Sequence, residues 1–154
     1  MRLAVIVVGG KGAASWADEA CDDYARRVRR WEKLEEPTVR SEAFRGDVEA
    51  VRAAETGRVL REVGPRDRLI VLDERGADLD TPGLRAIVDM ARSESFGLCF
   101  AIGGAYGHHA TVRAAAWRTL RLSACVLNHD VARVVLYEQL YRVYAEIHGV
   151  PYAH

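Results

Sequence analysis

The residues able to do chemistry gather late in the chain, in the turns IGGAYG (Ile102 to Gly107) and LSACVLNH (Leu122 to His129). Each follows a run that reads as a buried strand, and such turns are where an open α/β sheet holds a small ligand. Gly103, Gly104 and Gly107 permit a close backbone approach to a ligand, and serve equally in an ordinary tight turn. They do not spell GxGxxG, and no GKS/T follows, so a dinucleotide or P-loop site lacks its motif. Asp73 and Glu74 have the types of an acid/base pair. Adjacent on a polar turn, their side chains need not converge, and solvated turn acids are the simpler expectation. His108, His109 and His129 raise a metal site or a hydrolase. Sequence neighbours rarely bind one ion and no HExxH accompanies them, so no metal is expected. Ser123, His129 and Asp130 have triad residue types at a spacing that suits no nucleophile elbow, and GxSxG is absent. The expectation is a cofactor site built from the two turns, beside a substrate surface shaped by the rest of the chain.

A chain of 154 residues reads as one domain, 1–154, with a single substantial core. Its 22 basic and 22 acidic side chains balance, so no overall positive charge advertises nucleic acid, although one basic face would suffice. The basic residues are nearly all arginine, which suits bidentate phosphate contacts, with Lys11 and Lys33 the only lysines. Cys21, Cys99 and Cys125 are widely spaced and form no CxxC, which reads as buried free thiols in a reducing compartment. The apolar run Leu3 to Val8 is too short for a signal peptide core or a membrane span, so a cytoplasmic protein is expected.

Positioning elements follow from the apolar pattern. Arg2 to Val8, Leu34 to Arg40, Arg68 to Leu72, Leu98 to Ile102 and Thr119 to Leu122 read as strands. Helices are expected from Trp16 (capped by Ser15) to about Lys33, Asp47 to Val63, Thr81 to about Arg92, Ala110 to Ala116 and Val131 to His148. Val48, Val51, Ala54 and Val59-Leu60 are the expected inward positions of the second helix. The alternation is that of an α/β fold, a mostly parallel sheet covered by helices on both faces. Arg26, Arg27, Arg29, Arg30 and Lys33 end the first helix, either as a solvated cationic terminus or as a phosphate-binding ridge. The last helix is apolar over a wide arc, which points to burial against a partner subunit. Within it Glu138 and Arg142 stand at i, i+4, so an internal ion pair competes with a binding role.

At IGGAYG, LSACVLNHDVARVVLYEQLYR and the terminal Pro151-Tyr152 the sequence resembles the ribosomal RNA large-subunit methyltransferase H family, small single-domain SPOUT enzymes. The likeness spans essentially the full length and includes the helix with Tyr24-Ala-Arg-Arg and the VLDERG segment (Val71 to Gly76). It implies a SPOUT fold with a C-terminal trefoil knot, a homodimer, and S-adenosylmethionine as methyl donor. It further implies methylation of N3 of a pseudouridine in 23S rRNA on assembled ribosomes. By the same resemblance the cofactor lies against Leu72, Gly103, Gly104 and the loop Leu122, Ser123, Ala124, Cys125, Val126 and Leu127. His129, Arg133, Arg142, Tyr152 and His154 are then placed nearer the target, with His129 a candidate proton acceptor. The family commonly has proline before that histidine, a glutamine-like residue after it, and a Pro-Tyr-His tail. Here those positions hold Asn128, Asp130 and Ala153, with His154 one place late. The departures keep open N-methylation of a small nitrogen heterocycle or another RNA. A non-catalytic RNA-binding or assembly protein is the third reading.

Overall fold

The computed structural model describes residues 1–9 and 16–152, so Ser15 and His154 lie outside the described residues. In chain order the elements are β1 (Arg2–Val8), α1 (Trp16–Val28), β2 (Lys33–Glu35), β3 (Thr38–Val39), α2 (Val48–Arg61) and β4 (Asp67–Asp78). There follow α3 (Thr81–Glu94), β5 (Gly97–Ile102), α4 (Ala110–Ala115), β6 (Arg118–Arg121) and α5 (His129–Ile147). The sheet runs β2-β1-β5-β4-β6 with β3 also beside β1, and every strand pairing in it is parallel.

The two faces of the strands sort by side-chain size. Leu3, Val5, Ile70, Leu98 and Phe100 point into a core shared with α1, α3 and α5. Their neighbours Ala4, Ile6, Val71, Cys99 and Ala101 face Val59 of α2 and Val112 of α4. Alternation with period two delivers one set to each face, and the smaller set lies under the layer of two helices. The wide apolar arc of α5 is largely used within this chain. Leu136, Tyr137, Leu140, Val143 and Tyr144 are fully buried where α5 packs on α1, α3 and β5.

Several expected boundaries move, each for a local reason. The strand expected over 34–40 is two short strands broken at Glu36-Pro37. Pro37 has no N–H to donate to a ladder, and its carbonyl instead accepts from Val7 N at 3.0 Å. The first helix stops at Val28, so Arg29, Arg30 and Lys33 belong to a turn and β2; Arg29 Nε bonds Leu34 O at 3.0 Å. The turn expected over 73–76 is instead extended chain inside β4, where the pairing with β6 shifts between Leu72 and Ala77. Asp80, not Thr81, caps α3 by accepting from Gly83 N. In α2 the buried positions are Val51, Glu55, Thr56 and Val59, so a carboxylate replaces the expected Val48 and Ala54.

Candidate active site

Because the strands are parallel, the loops after β4, β5 and β6 leave the sheet at one edge. There they enclose a cavity of about 520 Å³. Leu72, Asp73, Glu74 and Arg75 of β4 form one wall, and Ile102 to His108 after β5 another. The third comes from Leu122, Ser123 and Cys125 to His129, with Arg52, Arg113 and Arg121 between.

The glycine turn closes on itself before it offers anything to a ligand. Gly107 N donates to Gly104 O at 3.0 Å, with Gly107 in the left-handed region at φ 75°. A Cβ on Gly103 would stand 3.2 Å from the Gly107 backbone, and one on Gly104 3.0 Å from both Glu55 Oε1 and Val8 Cγ1. The absent side chains at Gly103 and Gly104 thus let the turn pack tightly, and the same glycines line the cavity.

Asp73 overturns the expectation of a solvated turn acid. Its side chain is only 9% exposed, lies on the cavity wall, and faces Arg113 Nη1 at 3.4 Å. Arg113 Nη1 also donates to the carbonyl of His108 at 3.2 Å. The adjacent histidines divide. His109 caps α4 by accepting from Thr111 N at 3.1 Å, whereas His108 is buried in the cavity wall, its Nε2 without a hydrogen-bond partner among the described residues. Burial pushes His108 below its ordinary value of 6.5, with Asp73 pulling the other way. A neutral buried histidine stabilises the fold above that value, and the contribution is lost as pH falls below it, where the unfolded chain takes up the proton. Urea denaturation at pH 5.5 and 7.5 will show lower stability at the acid pH, and His108→Leu will flatten the difference.

The loop after β6 is held at both ends. Arg121 pairs with Asp78, and Leu79 N donates to Arg121 O at 3.0 Å. At the other end Asn128 caps α5, its side chain accepting from Asp130 N at 2.8 Å. Ser123 Oγ accepts from Cys125 N at 2.9 Å, and among the described residues no hydrogen bond joins Ser123 to His129. His129 lines the cavity mouth, 44% exposed, with Nε2 3.6 Å from Asp130 Oδ1. Among the described residues no group of three or more His, Cys, Asp or Glu is arranged to hold a metal ion.

A family model described as a predicted SPOUT methyltransferase matches residues 1–154. The chain belongs to the SPOUT methyltransferases. Proteins named ribosomal RNA large subunit methyltransferase H resemble it throughout. That of Geobacter sulfurreducens is 41% identical over 155 residues, covering 100% of both chains. The Geobacter metallireducens protein is 39% identical, covering 100% of this chain and 99% of its own. The Desulfovibrio desulfuricans protein is 38% identical, covering 99% and 97%.

In this SPOUT enzyme, Leu72, Gly103, Gly104, Leu122, Ser123, Cys125, Val126 and Leu127 all border the cavity, while Ala124 is exposed outside its wall. Of the described residues expected near the target, His129 does so, and Arg133, Arg142 and Tyr152 do not. Arg133 is buried between α1 and α5, bonded to Asp18 at 2.5 Å and Glu36 at 2.7 Å, and Glu36 also accepts from Tyr137. Arg142 stands roughly 20 Å further along α5 than His129, at 1.5 Å rise per residue. It pairs with Glu138 at 2.6 Å, and its guanidinium lies 5.0 Å from the centre of the Tyr152 ring. Tyr152 donates to Glu138 Oε1 at 3.2 Å, and a hydrogen bond with Tyr24 followed by burial pushes its phenol above the ordinary range. A phenol so held keeps its proton and is poorly suited to act as a base. Cys21 and Cys99 are buried, with thiols pushed up to about 12 by burial, whereas Cys125 is exposed on the cavity loop, contrary to expectation.

In the amino-acid sequence Asp73 and His108 have the types of site residues but no motif that selects them, and Arg113 carries no mark at all. The available signal was position: Asp73 directly follows the buried run of β4, as Gly103 follows β5.

Proposed function

We propose that this SPOUT methyltransferase uses S-adenosylmethionine to methylate N3 of a pseudouridine in 23S rRNA on the ribosome, as a single-domain, cytoplasmic homodimer. The observation that carries the reading is the cavity where the turns after β4, β5 and β6 converge. The full-length similarity to proteins named ribosomal RNA large subunit methyltransferase H supplies the acceptor.

The residues present suit that cofactor. Leu72, Ile102, Leu122 and Leu127 make apolar walls for adenine, and the backbone of the 122–127 loop can read its edge. Gly103 and Gly104 line the cavity, where their backbone can meet the ribose and methionine portions. Arg52, Arg75, Arg113 and Arg121 offset Asp73 and Glu74 on the wall, so the fit rests on shape and apolar lining rather than on charge. Bound there, the cofactor supplies a methyl group already activated by its sulfonium.

What remains for the chain is positioning and proton removal. The acceptor nitrogen must lose its proton on or before transfer, and His129 at the cavity mouth takes it, directly or through a water. His129→Ala will lower kcat on the order of 100-fold while leaving S-adenosylhomocysteine affinity near wild type by calorimetry. Arg26, Arg27 and Arg30, which line a separate exposed hollow with Tyr141 and with Asp23, the partner of the first two, serve as the ridge that holds the RNA backbone.

Arg142 and Tyr152 form no part of the cavity wall, so within this reading they reach the target from a second copy of the chain. Sedimentation as a monomer at micromolar concentration would remove that element. The trefoil threading implied by the resemblance goes with the same reading. It is supported by β6 lying beyond β4 while α5 returns across the sheet to α1.

Methyl transfer from labelled cofactor to ribosomes, set against a metabolite extract, tests the acceptor. Label in 23S rRNA, together with loss of the methylated pseudouridine from a deletion strain by mass spectrometry, is the expected result. Label in the extract alone would favour a small heterocycle. That second reading draws on Asp130, whose carboxylate lies beside His129 and disfavours nearby phosphate.

A further inference from the structure

We infer that the stacked rings of Phe44 and Tyr106 form a platform for an unpaired nucleobase of the RNA substrate, beside the cavity that holds the reacting groups. The inference rests on the RNA reading above and adds how that RNA is gripped.

Tyr106 belongs to the glycine turn and lines the cavity, and Phe44 lies in the loop between β3 and α2. Their ring centres are 5.6 Å apart with planes 27° from parallel. Despite covering each other, the two residues remain 53% and 40% exposed. Two half-exposed aromatics in contact at the rim of an active-site cavity are not the scattered apolar residues every surface carries. Trp16, Val126 and Val131 are exposed at the same edge of the sheet, where chain segments leave β1 and β6 and α5 begins.

The surroundings favour a nucleobase over a protein side chain. Arg40 and Arg45 flank Phe44 in sequence and are exposed; both act on Glu42 at a distance, but neither comes within ion-pair distance of a carboxylate among the described residues. The neighbouring carboxylates are already answered: Glu42 by Arg58, and Glu49 by Arg52 and, at 3.5 Å, His109. Glu55 is buried against Gly104, and Asp47 is engaged as the cap of α2. Arg52 Nε also donates to Tyr106 O at 2.7 Å, fixing the ring's backbone. Aromatic faces with unpaired arginines alongside are the combination that binds single-stranded nucleic acid, bases stacking on the rings and phosphates meeting the guanidinium groups. A double-stranded region offers no such free base, so the loop of a hairpin fits and its stem does not.

The test uses full-length protein and an RNA hairpin carrying 2-aminopurine at each loop position in turn, because stacking on an aromatic ring quenches this base. Wild-type protein will quench one position. Phe44→Ala and Tyr106→Ala will each restore its fluorescence and weaken hairpin binding roughly tenfold, while F44W and Y106W retain both. Calorimetry with S-adenosylhomocysteine will give wild-type affinity for Phe44→Ala, whose residue lies outside the cavity wall, and urea denaturation a wild-type midpoint for both alanine variants, which separates a lost platform from a misfolded turn. Hairpin affinity and quenching unmoved by the alanine substitutions would overturn the platform and leave the RNA reading standing. So would a change confined to oligomeric state, since the rings would then face a second copy. Wild-type protein that binds S-adenosylhomocysteine and ribosomes but not the hairpin would overturn the platform, and protein that binds neither RNA would overturn both.

Discussion

A Gly76→Ala variant will lose on the order of 4 kcal/mol of stability, close to the largest effect a single methyl can have. At this position a Cβ would stand 2.5 Å from the backbone carbonyl carbon of Leu120 and 2.6 Å from its nitrogen. The obstacle is main chain in β6, not the end of a side chain that can swing aside. Gly76 lies where the pairing of β4 with β6 shifts, Leu72 and Ala77 both standing opposite Leu120. Relief of the clash must push β6 outward, and β6 leads straight into the loop 122–128 that borders the cavity. Urea denaturation will show the drop in midpoint, and calorimetry at low temperature will show weakened S-adenosylhomocysteine binding in whatever fraction remains folded. Unchanged stability would mean that β4 and β6 do not approach this closely.

Removal of Arg133 is expected to cost about 3 kcal/mol, because breaking a buried pair strands its partners. Arg133 is 7% exposed and ties α5 to Asp18 of α1 and to Glu36 between β2 and β3. Arg133→Met keeps most of the volume and none of the charge, so the loss it shows will be electrostatic. Combining it with Glu36→Gln will recover part of the loss, and the interaction energy from that double-mutant cycle will be favourable in the wild type. A variant of full stability with impaired turnover would instead place Arg133 among groups that touch the substrate.

What the amino-acid sequence disclosed was whatever depends on neighbours along the chain. The buried runs at 3–8 and 98–102 and the helix starts near Asp47 and Thr81 are local, and they led to alternating strands and helices. The apolar loop LSACVL and the turn IGGAYG were legible for the same reason. Contacts closed only by folding were not. Asp73 read as a solvated acid because the arginine that faces it, Arg113, is forty residues away. Glu55 broke the apolar stripe of α2 because the missing side chain at Gly104 leaves room for a carboxylate. The apolar breadth of α5 suggested a partner subunit, whereas α1, α3 and the sheet cover most of it. Arg133 carried no mark in its own helix of the two carboxylates that hold it. Asn128 in place of proline has a plain structural reason, since its side chain caps α5 where proline would cap nothing.

The place of β1 bears on how the molecule is made. β1 precedes its partners in the chain yet ends up in the interior of the sheet, with Leu3 beside Leu34 on one side and Leu98 on the other. One of its edges is satisfied early, while the other waits for a strand two-thirds of the chain later. A nascent polypeptide therefore carries an apolar ribbon with open backbone groups until residues 97–102 leave the ribosome. Such distant pairing slows acquisition of the native state and makes a truncated N-terminal half prone to aggregate.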